Sequence, residues 1–407
     1  KPTNTYIYQE HFDDHRSLRV QNRIAHLLAM VWDGDQRQQL DKTHPDLSLR
    51  WSWANCKWEC IWHNSPMRKF WIIFGAIALA IGNSLPARAL TLPKSFETYA
   101  NSPFLAKPGI IVLDPNSQEP VFEDQPDSLR APASVLKLLS TTTALKELCA
   151  DTKFMTSAYK LSGNTFALVG ESDPWLTSSQ FEADKYHRAF TPYLINKILA
   201  TNSHLRSITL KSTGVYQADL KIVQRYFRHR VRINLVPLTP EEQQGLTEEK
   251  KLGQISSPTV SDIVQFTLLW SDNVLADRLA RTAAKKMGFA TDETGIQSAF
   301  ESTLTSLEVP TTGLQVFDGN GLSHENRVSP RTIATLLVKI KDNPIYAPIV
   351  EGLPKAGISG TLKDRFKKDA PKAVGLVQAK TGWINTSVAL AGYVDVGNQK
   401  YVFAVIA

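Results

Sequence analysis

Three short motifs stand in order along this 407-residue chain: Ser134-Val-Leu-Lys137, Ser271-Asp-Asn273 and Lys380-Thr-Gly382. A serine hydroxyl is a weak nucleophile and needs a base. Lysine can be that base when burial or a neighbouring cation lowers its pKa. Residues three apart share a helix face, so Ser134 and Lys137 can meet. This makes Ser134 the candidate nucleophile of an acyl transfer and Lys137 its general base, with Lys380 expected across a cleft as the neighbouring cation. Ser271 would relay the proton to the leaving amine. Asn273 would hold Lys137 and hydrogen-bond a substrate amide. Lys380 and Thr381 would bind a terminal carboxylate, and Gly382, lacking a side chain, would let the substrate backbone lie beside the strand. The backbone N–H groups of Ser134 and Trp383 are the candidate oxyanion hole. The histidines after residue 90 are His187, His204, His229 and His324. None stands in a triad setting, and no Gly-x-Ser-x-Gly turn is present. Each motif alone is common by chance; their order and contexts give them weight.

Those contexts are a helix, a helix junction and a strand. Pro132 precedes a strongly apolar stretch from Val135 to Leu148, which predicts a buried helix with Ser134 in its first turn. Val260 to Trp270 is apolar at helical spacing and Val274 to Ala283 resumes it, so Ser271-Asp-Asn273 sits where two helices meet. Leu376–Lys380, Ser387–Val394 and Lys400–Ile406 read as strands, the last two joined by a hairpin turn at Asp395-Val-Gly-Asn398. Gly109–Leu113 and Pro120–Phe122 read as an earlier hairpin around Asp114-Pro-Asn-Ser117. Leu92–Ala106 suggests a short helix and loop. Thr291–Leu307 and Ser329–Ile340 are further helices, with a turn at Asp318-Gly-Asn-Gly321. Between the first two motifs, residues 151–253 hold strand-like runs at Phe166–Val169 and Ile208–Leu210, a helix at Tyr193–Ala200 and a Pro/Glu-rich piece at Pro237–Lys251. They read as an inserted α+β module. Lys221–Arg232 is rich in arginine and reads as a solvated face, its second reading being a contact with anionic wall polymer or lipid.

Charged residues are 21% and hydrophobic ones 43%, as in a globular protein. The formal charge of +7 is too mild and scattered for a nucleic-acid binder. Cys56-x-x-x-Cys60 has no second ligand pair at metal-site spacing, so no metal or other cofactor is called for. Cys149 reads as a small buried residue closing its helix. Residues 67–89 combine Met-Arg-Lys, an apolar run from Phe70 to Gly82 and a small-x-small site at Ala87-Arg-Ala89. This has the form of a signal peptide cut after Ala89, since a bilayer span needs about 20 apolar residues. Residues 1–66 show no period, are assigned no function and read as an over-extended start upstream of Met67, the alternative being a genuine cytoplasmic extension.

The stretches Ala131–Lys137, Leu168-Val-Gly-Glu-Ser-Asp-Pro174, Asp318-Gly-Asn-Gly-Leu-Ser323 and Gly360-Thr-Leu362, with the last two motifs, resemble the S13 peptidases over roughly residues 93–407. That family comprises D-alanyl-D-alanine carboxypeptidases/endopeptidases of the penicillin-binding-protein-4 type. The resemblance implies a β-lactamase/transpeptidase-like α/β domain: a five-stranded antiparallel sheet flanked by helices, built from 90–150 and 254–407, with 151–253 inserted. It implies periplasmic action on peptidoglycan stem peptides, with β-lactams as covalent inhibitors of the same serine. The chain departs from the family pattern in its short insert, in Gly170-Glu-Ser172, in His324 where arginine commonly follows Gly-Leu-Ser, and in ending at Ala407 before a further C-terminal helix. Two other readings stay open at this level. A serine β-lactamase would need fast deacylation, in one class through a positioned glutamate with no convincing equivalent here. A non-catalytic penicillin sensor or wall-binding protein is the other.

Overall fold

The computed structural model describes residues 97, 98, 100, 101, 105, 107–114, 116–368 and 370–407. The N-terminal stretch 1–66, the 67–89 segment, Cys56, Cys60 and most of Leu92–Ala106 lie outside the described residues.

The main sheet is five-stranded and antiparallel, in the order β10-β11-β12-β1-β2. Its strands are β1 (Gly109–Leu113), β2 (Pro120–Asp124), β10 (Val377–Ile384), β11 (Ser387–Val396) and β12 (Gln399–Ile406). β1 and the Tyr401–Ile406 part of β12 are buried throughout because both faces are covered. Side chains alternate between those faces. Ile111 and Leu113 join one core with Ala389, Ala391, Val402 and Ala404, while Ile110 and Val112 join a second with Leu390, Phe403 and Val405. The first core is closed by the helices α1 (Lys137–Leu148), α6 (Val260–Trp270), α7 (Asn273–Lys286), α8 (Glu293–Ser306) and α9 (Pro330–Ile340). The second is closed by irregular chain carrying Leu105, Leu362 and Phe366. The expected five-stranded sheet with helices is therefore present.

Local signals explain the helix ends. Thr259 and Asp262 form a capping box that starts α6. Asp272 caps α7, and Ser329 followed by Pro330 opens α9. Helix α1 lies deepest: every residue from Lys137 to Leu145 is buried. Its polar hydroxyls turn inward on the helix, with Thr141 donating to the Lys137 carbonyl (2.8 Å) and Thr142 to that of Leu138 (2.7 Å).

The stretch between the first two motifs carries a second sheet, ordered β8-β7-β4-β3-β9. It comprises β3 (Met155–Lys160), β4 (Thr165–Gly170), β7 (Ser207–Thr213), β8 (Arg232–Pro237) and β9 (Lys251–Ser256). The β4–β7 and β7–β8 pairs are parallel and the other two antiparallel. Helices α3 (Thr191–Ala200) and α4 (Gln217–Phe227) bury Leu194, Ile198, Leu220, Val223 and Phe227 against it. The arginine-rich stretch keeps Lys221, Arg225, Arg228, Arg230 and Arg232 exposed, a solvated face, while Val223, Phe227 and Val231 point inward. A two-residue parallel pair, β5 (Leu176–Thr177) with β6 (Ala189–Phe190), lies beside α2 (Gln180–Tyr186).

Three local expectations are corrected. The strand read as ending at Lys380 runs on to Ile384, because Gly382 pairs with Ala389 inside the ladder instead of breaking it. Ser134 lies in a 3-10 turn, Ala133–Leu136, ahead of α1 and not in the α-helix itself. Cys149 is half-buried at a helix end with positive φ, where a helical residue would have been covered.

Gly321 (φ +85°) lies against the turn that presents Ser134: a Cβ there would stand 1.9 Å from the Ala133 carbonyl oxygen and 3.1 Å from the Ser134 nitrogen. Gly321→Ala is therefore expected to displace the Ser134 turn as well as to strain its own backbone. The thermal midpoint should fall, by roughly 2–4 °C for each kcal/mol of strain. Melting indistinguishable from the parent would show that this contact is slack.

Candidate active site

The three motifs converge at one end of α1, between the main sheet and the α6–α7 junction. Their geometry starts with backbone that few residues adopt willingly. Ala133 has φ 49°, and Ser271, which ends α6, has φ 58° and ψ 38°. Such non-glycine conformations cost on the order of 1–3 kcal/mol each and persist only where surroundings enforce them. Around Ala133 the enforcement is visible. The Ser387 hydroxyl donates to the Ala131 carbonyl (2.6 Å), and β10 crosses so closely that a Cβ on Gly382 would lie 2.8 Å from the Pro132 oxygen. Gly382 thus makes room for the serine turn itself. The same crossing places Trp383 beside that turn.

Lys137 is fully buried. Its Nζ lies 2.7 Å from Ser134 Oγ, and it donates to Asn273 Oδ1 (2.8 Å) and to the Asn320 carbonyl (2.6 Å). Burial pushes its pKa down to about 7, against the opposing pull of Asp272, Asp318 and Asp277. The neighbouring-cation cause expected from sequence is corrected: the charges that bear on Lys137 are acidic, and the repulsion between the two lysines appears at Lys380. A neutral lysine amine has two N–H donors and one lone pair. Asn273 Oδ1 and the Asn320 oxygen are acceptors only, so they take both donors. The lone pair is then left for the Ser134 hydroxyl proton, which is the arrangement a general base requires.

Lys380, also fully buried, donates to Ser271 Oγ (2.8 Å) and to the Thr381 carbonyl (2.7 Å). Burial, then the charges of Lys137 and Arg365, hold its pKa well below the usual lysine value. Thr381 Oγ1 lies 2.9 Å from Thr361 Oγ1. Ser134, Lys137 and Asn273 thus form one hydrogen-bonded group and Ser271 with Lys380 a second that includes the Thr381 carbonyl, while the Thr381 hydroxyl turns to Thr361 and Trp383 follows on β10 opposite Val388. His324 Nδ1 lies 3.1 Å from Thr386 Oγ1, and both residues line a cavity of about 630 Å³ with Arg130, Arg327 and Asn385.

In the sequence Asp318-Gly-Asn-Gly321 reads as a turn and as part of the family resemblance, with no role in the site. Asp318 accepts from the Gly321 and Ser323 amides (both 2.7 Å), and Asp277 of α7 accepts from the Gly319 amide (3.0 Å). Ser140 donates to the Gly319 carbonyl. This bracing fixes the Asn320 carbonyl on Lys137. The paired glycines were the available signal: a Cβ on Gly319 would stand 2.6 Å from that of Ala280.

The family model described as D-Ala-D-Ala carboxypeptidase 3 (S13) matches residues 92–233 and 237–407. The chain belongs to the S13 family. Carboxypeptidase DacB of Mycolicibacterium smegmatis is 32% identical over 177 residues, which are 42% of this chain and 38% of that protein. D-alanyl-D-alanine carboxypeptidase DacB of Haemophilus influenzae is 31% identical over 192 residues, 46% of this chain and 38% of the relative. The chain thus spans well under half the length of these curated relatives. Penicillin binding protein 4 (dacB) from Haemophilus influenzae superposes with a TM-score of 0.59 at 17% identity, covering 74% of this chain and 89% of that one. At that identity the likeness establishes the fold of this S13 member.

The buried amine predicts a pH signature. With a folded pKa of about 7 against an ordinary 10.5, Lys137 binds fewer protons folded than unfolded throughout that interval. Stability from this group therefore rises as pH increases from 7 towards 10.5 and is least below 7. The urea midpoint of the parent should climb more steeply from pH 7 to 9.5 than that of Lys137→Met. Parallel profiles would mean that this amine titrates normally.

Proposed function

We propose that this chain is a serine-type D-Ala-D-Ala carboxypeptidase/endopeptidase that works on peptidoglycan stem peptides through a Ser134 acyl-enzyme. The observation that carries this is the hydrogen bonding of Lys137: both N–H donors occupied, Ser134 Oγ 2.7 Å from the remaining position. The S13 membership and the carboxypeptidase relatives support the choice of substrate.

Ser134 Oγ attacks the carbonyl of the penultimate D-alanine while its proton passes to Lys137. The oxyanion is held by the amides of Ser134 and Trp383. Asn273 positions Lys137 and receives the substrate amide. The C–N bond breaks as Ser271, in contact with Lys380, gives a proton to the leaving amine, and the proton that Lys137 took from Ser134 then passes to the Ser271–Lys380 pair, which leaves Lys137 neutral again. Lys380 and Thr381 hold the terminal carboxylate. Water then cleaves the Ser134 ester with Lys137 again as base. β-Lactams enter the same route, as the Haemophilus influenzae relative in complex with a β-lactam suggests. The signal-peptide pattern at 67–89 supports a reaction outside the cytoplasm, in the periplasm, and the arginine-rich face of α4 supports a peripheral contact with anionic wall or lipid.

Purified protein should release D-alanine from a stem pentapeptide and bind labelled penicillin. Ser134→Ala should lower both by roughly 10³-fold or more. Persistent labelling would sink the nucleophile assignment. Rapid β-lactam hydrolysis would instead indicate a β-lactamase, and acylation without peptide turnover a sensor. N-terminal sequencing of exported protein should start at Leu90; retention of residues 67–89 would overturn the cleavage.

A further inference from the structure

The second-sheet region reaches the catalytic motifs at one buried side chain. Helix α2 ends at His187, whose left-handed backbone (φ 53°) turns the chain so that Arg188 points inward with its side chain 1% exposed. Arg188 Nη1 lies 2.9 Å from Glu182 Oε2 and 3.7 Å from Asp272 Oδ2. Its Nε donates to the Trp175 carbonyl (3.3 Å), Nη2 to that of Pro174 (3.4 Å), and the guanidinium lies over the Trp175 ring, 5.3 Å from its centre. Trp175 packs edge-on against Phe266 of α6 (5.0 Å). Asp272 is the middle residue of Ser271-Asp-Asn273. Its Oδ1 accepts from the Leu275 amide (2.9 Å) and caps α7. The two carboxylate oxygens are thus divided, one for the helix and one for Arg188.

We propose that Arg188 is a positioning residue for acylation: its buried guanidinium holds the Asp272 carboxylate, fixing the Ser271–Asn273 turn and keeping the Asp272 charge from Lys137. The inference rests on Lys137 being the base. Asp272 is the acid that acts most strongly on Lys137, ahead of Asp318 and Asp277. The other charges in the neighbourhood are otherwise engaged. Arg278 of α7 pairs with Asp219 of α4 (2.7 Å) and donates to the Leu176 carbonyl (2.6 Å). Asp173 gives one oxygen to the Trp175 amide (2.8 Å), and burial pushes its pKa up to about 7. Glu182 also accepts from Thr177 Oγ1 (2.7 Å). Lys380 faces Lys137 from β10 and bonds Ser271. Arg188 is the cation in ion-pair contact with both Glu182 and Asp272, and its charge also bears on Asp173 and Asp219. A planar fork with five donors can serve two carboxylates and two carbonyls together, which a lysine cannot do as fully.

The test is the acylation rate of the full chain by a chromogenic cephalosporin across pH 5 to 9. The parent should lose rate on the acid side as Lys137 protonates. In Arg188→Gln the acid limb should move to higher pH by about half a unit or more, because an unpaired Asp272 favours the protonated lysine. Arg188→Lys should restore most of the shift. Asp272→Asn keeps the helix cap and should move the limb to lower pH, and adding Arg188→Gln to it should then move the limb no further. A limb that stays in place in Arg188→Gln, with only the melting temperature lowered, overturns the proposal and leaves Arg188 a structural residue. If Arg188→Gln does not fold, Glu182→Gln decides: it leaves Arg188 wholly to Asp272, so the limb should fall in pH, and an unmoved limb overturns the idea. Lys137→Met separates the two assignments. Undiminished acylation in that variant overturns the base itself, whereas an inert Lys137→Met beside an unmoved Arg188→Gln limb overturns only the role of Arg188.

Discussion

The rest of the structure is arranged around one lysine amine that has been taken out of water. Burying a charged ammonium is costly unless it is paired, and the group adapts by giving up its proton more readily. On the proposed reading this shift is what lets Lys137 act as a base, because a lysine at its ordinary pKa would be protonated at neutral pH. The amine must still be hydrogen-bonded, and its contacts come from three separate parts of the chain: Ser134 before α1, Asn273 at the start of α7 and Asn320 in the glycine loop. Displacing Asn273 or the Asn320 carbonyl leaves a buried donor unmet, at a cost of about 1–3 kcal/mol. The helix core, the helix junction and the loop are thereby tied to a single nitrogen.

Holding that nitrogen requires close approaches that side chains would block. Gly319 lies against Ala280 of α7, Gly321 against Ala133 and Gly382 against Pro132. These glycines sit where three elements press on the serine turn from different sides. The positive φ of Ala133 and Ser271 is the other half of the same bargain: local strain is sustained because the surrounding core is dense. If Ser134 is the nucleophile as proposed, this rigid backbone reduces the reorganisation needed when its acyl-enzyme forms.

Much of this was legible in the sequence. Ser134, Lys137, Ser271, Asn273, Lys380 and Thr381 could be named because their motifs are local and their apolar contexts mark helix and strand, and the hairpins could be read from their turn residues, whereas the five-stranded antiparallel sheet came only from the family resemblance. What escaped was non-local. Nothing in Asp318-Gly-Asn-Gly321 says that a backbone carbonyl will face Lys137, since carbonyls leave no mark on residue type. The strands β3, β8 and β9 mix polar with apolar residues, so their period was weak, and pairing decided them. The neighbours of Lys137 were misjudged for a similar reason: Asp272, Asp277 and Asp318 surround it only once α7 and the loop have packed.

The two lysines also divide their electrostatic surroundings unequally. Lys137 has three carboxylates acting on it, whereas the charges acting on Lys380 are those of Lys137 and Arg365, both positive. A site with surplus positive charge on one side favours an arriving anion there, and it does so most strongly where solvent is excluded. On the proposed reading that anion is the substrate's terminal carboxylate. Its arrival would favour the protonated form of Lys380, which touches Ser271 Oγ at 2.8 Å. Carboxylate recognition and proton supply to the leaving amine would then be one event, since the cation that reads the substrate is the cation that can feed the relay. A substrate lacking the carboxylate would forfeit both, and the loss would fall on the chemical step as well as on binding.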